Sequence, residues 1–127
     1  MAMKNWNTLS WKIRGINSQP KWDAIKRKIE ERACSIFCIQ ETKREHFDIR
    51  YIRNFAPKRI DCFDFIPSQG ASGGILLVWN SSVFSGVVIK RHLFAITAQF
   101  ISSHNLCSWK LSTVYGPCTE LDRSNFI

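Results

Sequence analysis

The stretch from Asn5 to Gln40 constrains the fold more tightly than any other part of the chain. Trp22, Ile25 and Ile29 fall at i, i+3 and i+7, on one face of a helix. Lys26, Arg27, Glu30 and Glu31 cover the other side, with Asp23–Arg27 and Arg27–Glu31 at helical ion-pair spacing. Ser18 stands where a cap belongs and Pro20 falls in the first turn. Ahead of this helix, Asn5–Ile13 carries Trp6, Leu9, Trp11 and Ile13 and reads as an imperfectly alternating strand; behind it, Ser35–Gln40 is an apolar run of strand length. Strand, helix, strand at this spacing predicts a right-handed βαβ unit with parallel strands. The carboxyl ends of both strands then share one edge of the sheet, and Trp11-Lys12 comes near Gln40-Glu41.

The second of these strands stops abruptly at a carboxylate. In Ile36–Lys43 the apolar run meets Gln40, Glu41 and Thr42. An acidic residue at the carboxyl end of a buried strand is placed to face a ligand crevice. A hard cation such as Mg²⁺ needs only one or two carboxylates, with substrate phosphates completing its shell. Read from these residues alone, a solvated strand end is the plainer reading. Arg14 lies in the loop Arg14–Ser18 beside the first strand's end, where a guanidinium can grip a phosphate bidentately. Lys43 and Arg44 suit the same task, with solvated loop cations as the alternative.

Further on, Ile49, Ile52 and Phe55 have helix-like spacing in a polar, basic segment between Lys43 and Pro57. Cys62–Ile66 alternates as a strand, and Ile75–Trp79 reads as a buried one. Between them Pro67–Gly74 is rich in glycine. It lacks the Gly-Lys-Ser/Thr ending of a phosphate loop and runs into a strand rather than a helix, so it reads as a tight turn with residues at positive φ. Ser72 within it remains a candidate ligand contact. Val83–Ile89 and Leu93–Ile101 form an expected strand pair joined near Lys90-Arg91-His92. Trp109–Tyr115 is a further strand, closed by Gly116-Pro117. Thr119–Asp122 resembles a helix start, and the chain reads as a single partial domain, 1–127, the front of something longer.

Eighteen Lys and Arg against ten Asp and Glu give a net charge of +8, which suits a polyanionic partner, nucleic acid first. The longest apolar run, Ile75–Trp79, is far too short for a membrane span, and the N-terminus lacks a signal peptide's apolar region. Five cysteines without such a leader argue for an intracellular chain with reduced thiols. No C-x-x-C occurs, and His46, His92 and His104 show no metal-ligand spacing.

Four motifs stand in order: Ser10-Trp11-Lys12-Ile13-Arg14-Gly15-Ile16-Asn17, Ile39-Gln40-Glu41-Thr42, Ser72-Gly73-Gly74 and Val114-Tyr115-Gly116-Pro117. Together they resemble the N-terminal half of the endonuclease/exonuclease/phosphatase superfamily. The nearest likeness is to the apurinic-endonuclease-like domain of plant LINE-type retrotransposon reverse-transcriptase polyproteins. The resemblance implies an α/β fold, a four-layer α-β-β-α sandwich of the DNase-I-like kind, here truncated to its N-terminal half. It also implies a Mg²⁺- or Mn²⁺-dependent endonuclease that nicks DNA. The glutamate of the family's Gln-Glu-Thr binds the metal, and that position is Glu41. The tyrosine of its Tyr-Gly-Pro turn lies by the scissile phosphate, and that position is Tyr115, whose phenol suits donation to a phosphate oxygen.

Two departures follow from the same resemblance. The family has Asn after the first strand's Trp, where this chain has Lys12. A donor-only cation there repels a metal, pointing to impaired activity, or else holds a phosphate or stands in for the metal's charge. The family's Asp-Asn pair, later metal-site Asp and terminal Asp-His pair would lie beyond Ile127, so the chain alone is not expected to be a competent nuclease. The partners implied are DNA and a reverse transcriptase domain on the same polypeptide, with no membrane and with the nucleus as location. The alternatives are a non-catalytic, basic nucleic-acid-binding remnant and a fragment of a superfamily phosphatase acting on lipid or sugar phosphates.

Overall fold

A computed structural model describes residues 8–33, 35–92 and 95–114. Strand β1 (Thr8–Lys12) leads into helix α1 (Gln19–Arg32), which returns the chain to β2 (Ile36–Gln40). The two strands pair in parallel, Thr8 opposite Ile36 through Lys12 opposite Gln40, as the βαβ spacing requires. Ser18 takes the extended N-cap conformation, yet its side chain makes no capping hydrogen bond. Pro20 in the first turn removes one orphan N–H there. Asp23 accepts a hydrogen bond from Gln19 Nε2 at 3.0 Å, a partner the charge pattern does not suggest.

A one-turn helix, α2 (Ile49–Ile52), follows, capped by Asp48, whose carboxylate accepts from the Tyr51 amide at 2.8 Å. β3 (Cys62–Ile66) occurs where the alternation places it and β4 (Ile75–Trp79) where the apolar run does, and both pair antiparallel, β4 inserting between β2 and β3. The first sheet therefore runs β1-β2-β4-β3. A second sheet is an antiparallel meander, β5 (Phe84–His92), β6 (Ala95–Ser102) and β7 (Ser108–Val114). β5 continues through Lys90-Arg91-His92, which the sequence suggests as a turn. The register shifts between Val88 and Lys90, and beyond that irregularity the strand goes on pairing to His92 opposite Ala95.

The first sheet carries an apolar cluster on each face, because successive strand residues point to opposite sides. Phe37, Ile39, Leu76 and Val78 pack with Ile25 and Ile29 of α1 and with Phe47, Ile52 and Phe55. Ile36, Cys38, Ile75, Leu77 and Trp79 pack with Phe84, Ile96, Ala98, Phe100 and Leu111 of the second sheet. β4 is buried at all five positions, as a central strand covered on both faces must be. Asp64 of β3 takes the Arg91 guanidinium of β5 in a two-point ion pair that joins the sheets at their rim. Among the described residues no helix lies on the outer face of the second sheet, where Val87 is 60% and Ile101 39% exposed. No helix among them is long and apolar enough to cross a membrane.

Candidate functional site

The parallel pairing of β1 and β2 continues past both strand ends as loop-to-loop hydrogen bonds. Ile13 N–H donates to Gln40 O at 2.9 Å, Gly15 N–H to Glu41 O at 2.8 Å and Ile16 N–H to Thr42 O at 2.9 Å. On the other side Thr42 N–H donates to Gly74 O at 3.1 Å and Lys43 N–H to Gly73 O at 2.8 Å. Three loops are thus joined edge to edge; they carry Arg14, Glu41, Lys43 and Ser72, and Lys12 ends the strand that leads into the first of them. Three of the four sequence motifs, far apart in the chain, meet here.

The backbone at this edge is unusual. Arg14, Glu41 and Lys43 all adopt left-handed conformations, with φ of +59°, +59° and +57°. Each costs about 1–2 kcal/mol for an L-residue, and such outliers persist only where their surroundings over-determine them. The loop-to-loop hydrogen bonds are those surroundings. With Thr42 fully buried between them, Glu41 and Lys43 both leave the core, Glu41 half-buried and Lys43 exposed. Lys12 and Arg14 are exposed as well. The Lys43 stem runs over Gly15, where an added Cβ would meet its Cδ at 3.7 Å.

The glycine-rich loop is the expected turn, with Gly70, Gly73 and Gly74 all at positive φ. Gln69 and Ser72 exchange backbone hydrogen bonds at 2.8 and 3.1 Å across its tip, leaving Ser72 exposed. Arg44 differs from the other cations. Its Nε donates to His46 O at 2.7 Å and its Nη1 to Asn17 Oδ1 at 3.1 Å, and its guanidinium lies 3.6 Å from the centre of the Tyr51 ring. Tyr115 lies outside the described residues.

Tyr51 and Trp22 were not legible as part of this edge, nor were the partners of Asn17, which the first motif places beside it. Tyr51 OH donates to Asn17 Oδ1 at 3.0 Å and accepts from Trp22 Nε1 at 3.1 Å, and Lys21 Nζ reaches Ile13 O at 2.8 Å. These contacts span loops and helices that no local pattern links. Among the described residues no group of three or more His, Cys, Asp and Glu side chains is placed to hold a metal ion.

No protein-family model matches the sequence, nor does any curated protein. In fold, the chain is α/β and matches part of two AP endonuclease structures. It is similar to AP endonuclease LMAP from Leishmania major, with a TM-score of 0.60 and 15% identity over 88% of this chain and 42% of that one. It is also similar to the APE2 catalytic domain of Xenopus laevis, with a TM-score of 0.58 and 16% identity over 86% of this chain and 45% of that one. The chain therefore spans less than half the length of the structures it matches.

Proposed function

We propose that the chain is the N-terminal part of a metal-dependent endonuclease domain that nicks DNA, of the kind carried by LINE-type retroelements beside a reverse transcriptase. The observation that carries this reading is the meeting of Lys12, Arg14, Glu41 and Lys43 on one strand edge, and its support is a fold similar to part of two AP endonuclease structures. In the complete four-layer domain, Glu41 would lend one carboxylate to Mg²⁺ or Mn²⁺, which supplies charge neutralisation at the phosphate. Arg14, Lys43 and Ser72 would hold the DNA backbone, and Tyr115 would donate to the scissile phosphate. Lys12 puts a positive charge beside Glu41's strand, favouring phosphate over metal at this edge. A nuclear location follows from the same reading.

A metal ion held by a single carboxylate beside cations does not assemble the transition state of phosphodiester cleavage. Purified 1–127 is therefore expected to leave supercoiled plasmid intact in Mg²⁺ or Mn²⁺ while retaining affinity for it. Robust nicking that Glu41→Ala abolishes would refute the incompetence of the chain. Absence of any plasmid binding would refute the DNA reading.

A further inference from the structure

We infer that Asn17, Arg44 and Tyr51 form a latch that holds the Glu41–Lys43 segment in its left-handed course, and that Arg44 is a positioning residue rather than a phosphate ligand. Asn17 is the hub. Its Oδ1 accepts from Arg44 Nη1 at 3.1 Å and from Tyr51 OH at 3.0 Å, while its Nδ2 donates to Lys43 O at 3.4 Å. One side chain thus meets the carbonyl of the strained Lys43 and the guanidinium of the residue after it. The Arg44 head is held in place by Asn17, by His46 O and by the face of Tyr51, with the Phe47 ring centre at 5.6 Å. A planar, weakly hydrated guanidinium suits such a stacked, bridged place where an ammonium does not. Tyr51 is anchored in turn by Trp22 Nε1 and the T-shaped Trp22 ring, so the latch rests on α1. Ser68 N–H donates to Arg44 O at 3.1 Å, which ties the glycine-rich loop to the same point.

A ligand-gripping arginine presents its fork outward, whereas here Nε and Nη1 are given to His46 O and Asn17 Oδ1. What the latch buttresses are the two left-handed residues that aim Glu41 and Lys43 away from the core. This rests on the reading of that edge as a phosphate site only in its second test. The first test is amide hydrogen exchange on the full chain and its variants. Asn17→Ala and Arg44→Gln are expected to speed exchange about 2- to 10-fold at the amides of Gly15, Ile16, Thr42 and Lys43. Amides of β4 and β6 keep their protection. Unchanged exchange at those four amides would overturn the latch. Where a variant loses protection throughout, Tyr51→Phe decides by the same comparison, because it removes one hydroxyl and keeps the ring beneath Arg44.

The second test separates positioning from contact, using a labelled DNA duplex titrated at several salt concentrations. Lys43→Gln, a direct contact, is expected to shallow the salt dependence by about one unit. Arg44→Gln and Asn17→Ala are expected to weaken binding alike and leave that slope unchanged. A one-unit loss of slope in Arg44→Gln, with Asn17→Ala binding as the parent does, would make Arg44 a phosphate ligand and overturn the assignment. If the parent chain binds no duplex, the nucleic-acid reading falls, and the exchange measurement still decides the latch.

Discussion

Gly74 carries a steric demand that no other residue type meets. Its φ is +98°, and a Cβ built there would sit 2.3 Å from Thr42 Oγ1 and 3.3 Å from Ser68 Cβ. Both neighbours are buried, Thr42 completely, so neither can swing aside into solvent. Gly74→Ala therefore combines a backbone cost of about 1–2 kcal/mol with overpacking of about 1–3 kcal/mol. Gly70 supplies the control: its φ is +63° and nothing lies within 4 Å of its missing Cβ, so Gly70→Ala should cost about 1 kcal/mol. Urea unfolding of the two variants measures the difference. Equal losses would mean that Thr42 yields and that the loop crossing is loose. The turn itself was legible from Pro67–Gly74, because a run of glycines has a local meaning. The crossing of Gly74 over Thr42 was not, since it joins residues that only the pairing of β2 with β4 brings together. The same holds for Asn17: its side chain is ordinary in sequence and becomes a hub only where Arg44 and Tyr51 reach it.

At the scale of elements, periodicity carried far. The period-2 and apolar-run patterns place β3 and β4 residue for residue, and the helical face of Trp22, Ile25 and Ile29 is the face that packs on the sheet. What failed has a physical cause. Lys90-Arg91-His92 is polar and exposed, which looks like a turn, yet it stays paired beyond the register shift after Val88, and Arg91 finds Asp64 across the sheets. An ion pair between two strands of different sheets leaves no mark on either strand's own pattern. A comparable long-range tie holds the start of β3. Asp61 accepts from the Ser81 amide at 2.9 Å and from the Ser81 hydroxyl at 2.7 Å. The Ser81 hydroxyl first, and its amide next, hold the Asp61 carboxyl below the ordinary carboxylate range. A folded-state pKa below the unfolded one makes the contribution present at neutral pH and lost as pH falls through the lowered value. Ser81→Ala is expected to move the Asp61 pKa upward in a carboxyl-detected NMR titration and to flatten the acid-side loss of stability. A titration curve unchanged by the substitution would show that the carboxylate owes its shift to other groups.

For the whole molecule, the sequence announced strands but not which sheet each would join. That partition emerges only when β2 and β4 each offer an apolar face to either side, one for α1 and one for the second sheet. The charge has the same ambiguity, because +8 spread along a chain says nothing about where an anion would sit. The fold sorts some of these cations into two settings. On α1, Lys26 and Arg27 share a shallow depression with Asp23, Glu30 and Glu31, so their field is offset locally. At the strand edge, Lys12 at the end of β1 and Arg14 and Lys43 on the joined loops are all exposed. Each phosphate neutralised contributes about −0.9 to the slope of log affinity against log salt. If the edge is where DNA binds, three such cations give a slope of about −3, well short of what the full net charge would yield. Replacing Arg14 and Lys43 together by Gln should shallow that slope to about −1, whereas Lys26→Gln with Arg27→Gln should leave it as it was. A slope that follows the number of cations removed, wherever they stand, would make the binding a property of net charge and not of this edge.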